Sequence, residues 1–441
     1  MNPLKLAYIG GGSAYAAGVI RSFANAALRD PEAFADGEIA LMDLDAGNLE
    51  TVSALGRRMV AAAGAPLRIT ATTDRERALD GATFVLTSFR PGGLKARALD
   101  ERIPLDFGIL GQETVGPGGF FFGLRSLQVM RDLCAEMDRL CPDAWLLNYT
   151  NPTNIIGEAV SRYTKLNVLA LCDGGKHDAY HIAGLLGYRP DQVEVRGLGL
   201  NHATWSTRFL LDGQDGIALL REAAPRLLAD DSVIPKAKRM IRLALRYGRL
   251  PNEYMQYYYY PQETVAEARA AAEAGHTRAE AIMAELPDIF AHYREQADQP
   301  EPHLTRQRGG GGFGDFAVEI LRAILCDEGR VEMLNVPNLG TLPGQPPERV
   351  AEVPCRIDRH GATPLAQGPL PTELHGLIAA LADYQALAAT AGWEGDARSA
   401  THALAANPLC WHLDADQVDA LYARLAQAHA AWLPKRLLPA A

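Results

Sequence analysis

The opening segment KLAYIGGGSAY constrains this chain more than any other. An apolar run from Leu4 to Ile9 ends in Gly10, Gly11 and Gly12. An apolar-periodic stretch from Ser13 to Leu28 follows and stops at Asp30-Pro31. That order reads as strand, glycine turn, helix. Glycines there let backbone N–H groups approach a pyrophosphate at the helix N-terminus, with Ser13 opening the helix. The spacing is not a full G-x-G-x-x-G, because Tyr15 stands where a glycine is expected. Asp43 closes the next strand, EIALMDLD, where an acid binds a ribose 2′-hydroxyl and favours NAD over NADP. The competing reading is an unrelated strand–helix turn with a surface aspartate.

Further strand patterns lie near Arg68 to Ala71, Thr83 to Phe89, Ala144 to Thr150 and Asn167 to Asp173, and helical patterns separate them. Such alternation predicts an α/β fold, a Rossmann-like doubly wound parallel sheet. After Pro190 the pattern changes. The segment QVEVRGLGLNHATWSTRFLL reads as antiparallel strands, 216–300 as helices, and the tail from Pro371 as amphipathic helix interrupted at Asn407-Pro408. We therefore expect a dinucleotide-binding domain at 1–190. An α+β domain at 191–441 would serve substrate, metal and oligomerisation, in a lactate/malate-dehydrogenase-like arrangement.

Charge and cysteine usage narrow the partners. A net charge of −10 argues against nucleic acid and anionic membrane. No apolar stretch approaches the ~20 residues of a membrane span, and the N-terminus enters a strand without a signal-peptide pattern. Six cysteines without framework spacing point to a reducing, cytoplasmic protein.

Cys172-Asp173 and Asn201-His202 carry the chemistry. A thiolate at the end of a parallel strand and an imidazole after a glycine-rich strand make half of an open divalent-metal site. Such a site polarises a carbonyl as a Lewis acid. The other reading is a buried thiol and a core histidine. Asp173 adjoins the metal candidate as a general acid. The segment PNEYMQYYYYPQE offers five tyrosines, and one near a metal can serve as a base with a lowered pKa. Which one, the sequence leaves open. Arg90, Lys95 and Arg97 lie in a loop after a strand, and Arg308 precedes Gly309-Gly310. Together they suit an anion, or else form a solvated loop.

In order, YIGGGSAY, FRPGGLKARALDERIPLDFGILGQETVGPGG, NYTNPTN, LCDGG, GLNHATW, PNEYMQYYY, RGGGGFGDFA and a late NPL resemble glycoside hydrolase family 4 over nearly the whole chain, and the 6-phosphoglucosidases in particular. The resemblance implies NAD and Mn²⁺ as cofactors and a glycoside as the small-molecule substrate. In that family's route, C3 is oxidised, C2 is deprotonated, the aglycone is eliminated, water adds at C1, and C3 is reduced again. Carried over by position, it makes Cys172 and His202 the metal ligands, Tyr254 the base and Asp173 the acid. Asn151 would hold sugar hydroxyls, Arg97 and Arg308 the 6-phosphate, and Gly10, Gly11, Gly12, Ser13 and Asp43 the cofactor. It also implies a homodimer or homotetramer.

Two departures matter. Gly174-Gly175-Lys176-His177 stands where the phospho-enzymes often carry proline, and LNHATWSTRF leans toward the non-phosphorylated branch. These leave open the anomer and a C6 carboxylate, sulfonate or hydroxyl. The rival outside the family is an NAD-dependent 2-hydroxy-acid dehydrogenase.

Overall fold

The computed structural model describes residues 3–309 and 312–439. Its centre is one mixed sheet. Six strands, β1 (Lys5–Ile9), β2 (Gly37–Met42), β3 (Leu67–Thr72), β4 (Phe84–Thr87), β5 (Trp145–Asn148) and β6 (Asn167–Ala170), pair in parallel in the order 3-2-1-4-5-6. This is the order of doubly wound dinucleotide-binding sheets. Buried on both faces, β4 reads as an unbroken apolar run, whereas the edge strand β3 alternates.

The second half contributes β7 (Val193–Leu200), β8 (Ala203–Leu211), β9 (Gln214–Asp215), β10 (Arg330–Pro337), β11 (Val350–Asp358) and β12 (Gly361–Pro364). These pair antiparallel with one another. β10 also pairs antiparallel with β6 through Asn335 and Ala170, so the sheet runs without a break past residue 190. One large core joins both halves. A second, smaller core gathers the helix Gly174–Leu185, strand β8 and the helices Gly216–Ala229 and Pro235–Tyr247. The helix that follows Cys172-Asp173 thus packs with the second half, although it lies before residue 190.

The expected tail helix is three pieces: Thr372–Trp393, Ala397–Ala405 and Ala415–Ala428. Asn407-Pro408 opens a short 3₁₀ turn between the last two, as a residue lacking a backbone donor should. The helix that follows the glycine run spans Gly312–Leu325. Gly310 and Gly311 of the preceding glycine run lie outside the described residues. No described helix is long and apolar enough to cross a membrane, and the six cysteines are unpaired.

Candidate active site

The glycine turn is built as the sequence predicts. Gly10 has φ 96°, and a side chain there would run into the Ser88 carbonyl. A Cβ at Gly12 would lie 2.9 Å from that of Asp43. The Gly12 N–H donates to Asp43 Oδ2 at 3.0 Å, so the β2 acid is held against the turn. Ser13 N–H donates to the Gly10 carbonyl at 3.1 Å, and the helix Ala16–Arg29 begins three residues later. Open backbone followed by a helix N-terminus, with a carboxylate at the end of β2, fits a dinucleotide.

Cys172 and His202 are brought together from different strands. Cys172 lies two residues past the C-terminal end of β6. His202 sits in the two-residue hairpin between β7 and β8. The backbone of His202 is left-handed, with φ 61°. Such a position favours glycine or asparagine, so keeping a bulky side chain costs about 1–3 kcal/mol. The gain is proximity: Cys172 Sγ lies 3.7 Å from His202 Nε2. Two tetrahedral ligands at zinc-like bond lengths sit roughly 3.6 Å apart, so one divalent ion fits between them. Among the described residues, no three His, Cys, Asp or Glu side chains form a metal cluster. Two donors at this spacing would leave the rest of an ion's shell to substrate and water, as in an open catalytic site. Burial pushes the Cys172 thiol well up, helped by Glu352 and Asp173. Burial lowers His202 to about 4, against the pull of Glu113, so its ring is neutral at ordinary pH and free to take a metal ion.

Tyr254 is the tyrosine that faces this pair. Its ring stacks on the His202 ring, with centroids 4.0 Å apart and planes 7° apart. Tyr259 packs instead on Trp205 and Tyr247. Without a cation the Tyr254 phenol stays neutral: burial first, then Glu113, raise it well above the ordinary value. Asp173 receives the His177 imidazole, Nδ1 to Oδ2 at 3.4 Å. Asn151 follows β5 at the same sheet edge, and its Oδ1 accepts from the Thr153 N–H at 3.3 Å.

The arginines differ from one another. Arg97 is buried and already neutralised, with Nε 2.6 Å from Glu101 and Nη1 2.6 Å from Glu113. Arg90 also pairs with Glu113. Arg308 donates from Nη2 to the Tyr15 hydroxyl at 2.9 Å and has no carboxylate partner among the described residues. Of the two arginines predicted to meet an anion, Arg308 is the one with no carboxylate in contact among the described residues. Tyr15, the residue that breaks the glycine motif, is the contact that holds it.

Two residues escape sequence reasoning. Glu113 is held below its ordinary value, against its burial, by Arg90 and Arg97, then by His202 and Arg308. An acid in a loop carries no periodic signal, and its neighbours come from three segments: Arg90 and Arg97, His202, and Arg308. Glu352, on β11, is buried, raised to about 7 by that burial, and accepts from Asn201 Nδ2 at 3.0 Å. It braces the residue beside His202.

Comparison with known proteins agrees with this geometry. The profile described as family 4 glycosyl hydrolase matches residues 5–185, and that of the family 4 glycosyl hydrolase C-terminal domain matches 197–410. The chain belongs to family 4 of the glycosyl hydrolases. Among its family 4 relatives is a probable 6-phospho-beta-glucosidase of Bacillus subtilis (strain 168), 34% identical over 98% of both chains. The 6-phospho-beta glucosidase from Thermotoga maritima, solved with NAD and glucose-6-phosphate, superposes with a TM-score of 0.84. It is 25% identical over 98% of this chain and 99% of that one. Malate dehydrogenase from Plasmodium falciparum shares the fold alone, with a TM-score of 0.52 and 15% identity over 89% of this chain and all of that one. The fold alone therefore does not separate the hydrolase reading from the dehydrogenase rival.

Proposed function

We propose that this chain cleaves 6-phosphoglucosides by the oxidation–elimination–addition route of family 4, using NAD and a divalent metal ion. The observation that carries the reading is the Cys172, His202 and Tyr254 cluster at the same sheet edge as the glycine turn. Bound there, NAD supplies the hydride acceptor for C3, and the metal ion supplies the charge that polarises sugar oxygens and lowers the Tyr254 phenol.

The chain's own residues do the rest. Gly10, Gly11, Gly12, Ser13 and Asp43 hold the dinucleotide. Cys172 and His202 hold the metal, and Asn151 orients the sugar hydroxyls. Tyr254 takes the C2 proton and Asp173 protonates the leaving oxygen. Arg308 meets the anion on C6, with Arg97 behind it. Residues 1–190 form the dinucleotide-binding part and 191–441 complete the metal and substrate site. The active form is a homodimer or homotetramer in the cytoplasm.

The test is hydrolysis of paired α- and β-nitrophenyl glucosides, with and without a 6-phosphate, in NAD and Mn²⁺. Cleavage of a 6-phosphoglucoside without net NADH is expected. Stoichiometric NADH accumulation would return the chain to the dehydrogenases. A second reading, a C6 carboxylate or sulfonate, is favoured by Arg308 being the one arginine of the pair without a carboxylate. A single guanidinium suits a single negative charge. Adding the 6-carboxylate and 6-sulfonate counterparts to this panel decides between them.

A further inference from the structure

The residue before the base is tied to the helix after the metal ligand. The Glu253 N–H donates to Asp178 Oδ2 at 2.8 Å. Asp178 lies one turn into the helix Gly174–Leu185, which leaves directly from Cys172-Asp173. Its side chain is buried, with 6% of the residue exposed. Lys236, from the helix Pro235–Tyr247, pairs with the Glu253 carboxylate.

On the other side, the Asn252 N–H donates to the Thr204 carbonyl at 2.9 Å, two residues from His202. Asn252 Oδ1 in turn accepts from the Tyr254 N–H at 3.1 Å. Tyr254 is therefore suspended between the two strand ends that carry Cys172 and His202, by one hydrogen bond chain to each. A buried carboxyl is a costly way to accept one N–H bond. Burial and then the neighbouring Glu253 raise Asp178 well above the usual carboxylate range, which favours its protonated form beside Glu253.

We propose that Asp178 is a positioning residue. By holding the Glu253 backbone, it fixes the Tyr254 phenol relative to the metal-binding strand ends, and so sets the rate of C2 deprotonation apart from hydride transfer at C3. The inference rests on the proposed function for its kinetic consequence. The clamp itself does not depend on it.

Three variants test it: Asp178→Ala removes the acceptor, Asp178→Asn keeps it and copies the protonated acid, and Asp178→Glu displaces it by one methylene. The first readout is amide hydrogen exchange at Glu253 and Tyr254 in the cofactor-free full chain. Exchange is expected to quicken by about tenfold in Asp178→Ala and to stay near wild type in Asp178→Asn. The second readout uses substrate deuterated at C2 or at C3, with NAD and Mn²⁺ bound. In Asp178→Ala the C2 isotope effect on kcat/KM should rise and the C3 effect should shrink, while Mn²⁺ affinity stays unchanged. Asp178→Asn should restore both isotope effects. Wild-type exchange and wild-type isotope effects in a folded Asp178→Ala overturn the proposal. If that variant does not fold, Asp178→Glu decides: a raised C2 effect supports the clamp and an unchanged one overturns it. A wild-type enzyme with no C2 isotope effect would instead refute the reaction scheme, and amide exchange would still judge the clamp.

Discussion

The rings of His202 and Tyr254 lie parallel, 4.0 Å apart between centroids. A cation on this imidazole therefore acts on that phenol across a buried stacked contact instead of through water, and an electrostatic effect is strongest where solvent is excluded. The stack places the proposed ligand His202 directly against the proposed base Tyr254.

Tyr254→Phe keeps the stack and removes the hydroxyl. We expect kcat to fall by about 10²–10⁴, the usual worth of a general base, with metal affinity unchanged. Exchange of the C2 proton with solvent should stop while C3 oxidation persists. Retained C2 exchange would move the base to another residue.

Metal binding should release about one proton per ion near neutral pH, because the Cys172 thiol is raised by burial and must ionise, whereas His202, lowered to about 4, is already neutral. Calorimetry in buffers of different ionisation enthalpy measures this. Cys172→Ser and His202→Ala should each weaken the metal by at least roughly 100-fold, beyond the usual cost of losing a supporting contact, and leave NAD affinity intact. Normal metal affinity in either variant would refute the ligand assignment.

Two buried groups should give the metal-free protein opposing pH dependences. His202 is lowered to about 4, so between there and about 6.5 the unfolded chain binds a proton that the folded one refuses, and stability falls as pH falls. Glu352 is raised to about 7, so above the ordinary carboxylate range the folded chain keeps a proton that the unfolded one loses, and stability falls as pH rises. Each amounts to about 3 kcal/mol, and they largely cancel between roughly pH 4.5 and 6.5. Relative to wild type, Glu352→Gln should show stability rising with pH across that window, and His202→Gln stability falling. Denaturant melts at three pH values suffice, and parallel profiles would contradict both assignments.

Arg308→Met should raise KM for the 6-charged substrate by at least about tenfold, the worth of a charged hydrogen bond, and change little for a neutral glucoside. Arg97→Met should behave differently. It removes the arginine from Glu101 and leaves Glu113 to Arg90 alone, and breaking a buried pair costs about 3–5 kcal/mol of stability. If Arg97→Met left the melting temperature untouched and altered only KM, Arg97 would be the primary anion anchor.

The first six strands, the glycine turn and the acid at Asp43 were legible because each follows from local rules: apolar runs, missing Cβ atoms, and a helix that must start where a strand ends. The continuation of the sheet through β10 and β11 was not legible, since the pairing of Asn335 with Ala170 joins residues far apart in sequence. The candidate chemistry divides the same way. The sequence by itself determined that a thiol, an imidazole, a run of tyrosines and several arginines were present, and the order of its motifs named the family. Only the tertiary structure decided that Cys172 and His202 stand 3.7 Å apart, that Tyr254 is the tyrosine facing them, and that Arg97 is paired with Glu113 while Arg308 contacts the Tyr15 hydroxyl instead. Those are distances between groups on different strands and loops. Packing of the whole sheet sets them, and no periodicity along one segment encodes them.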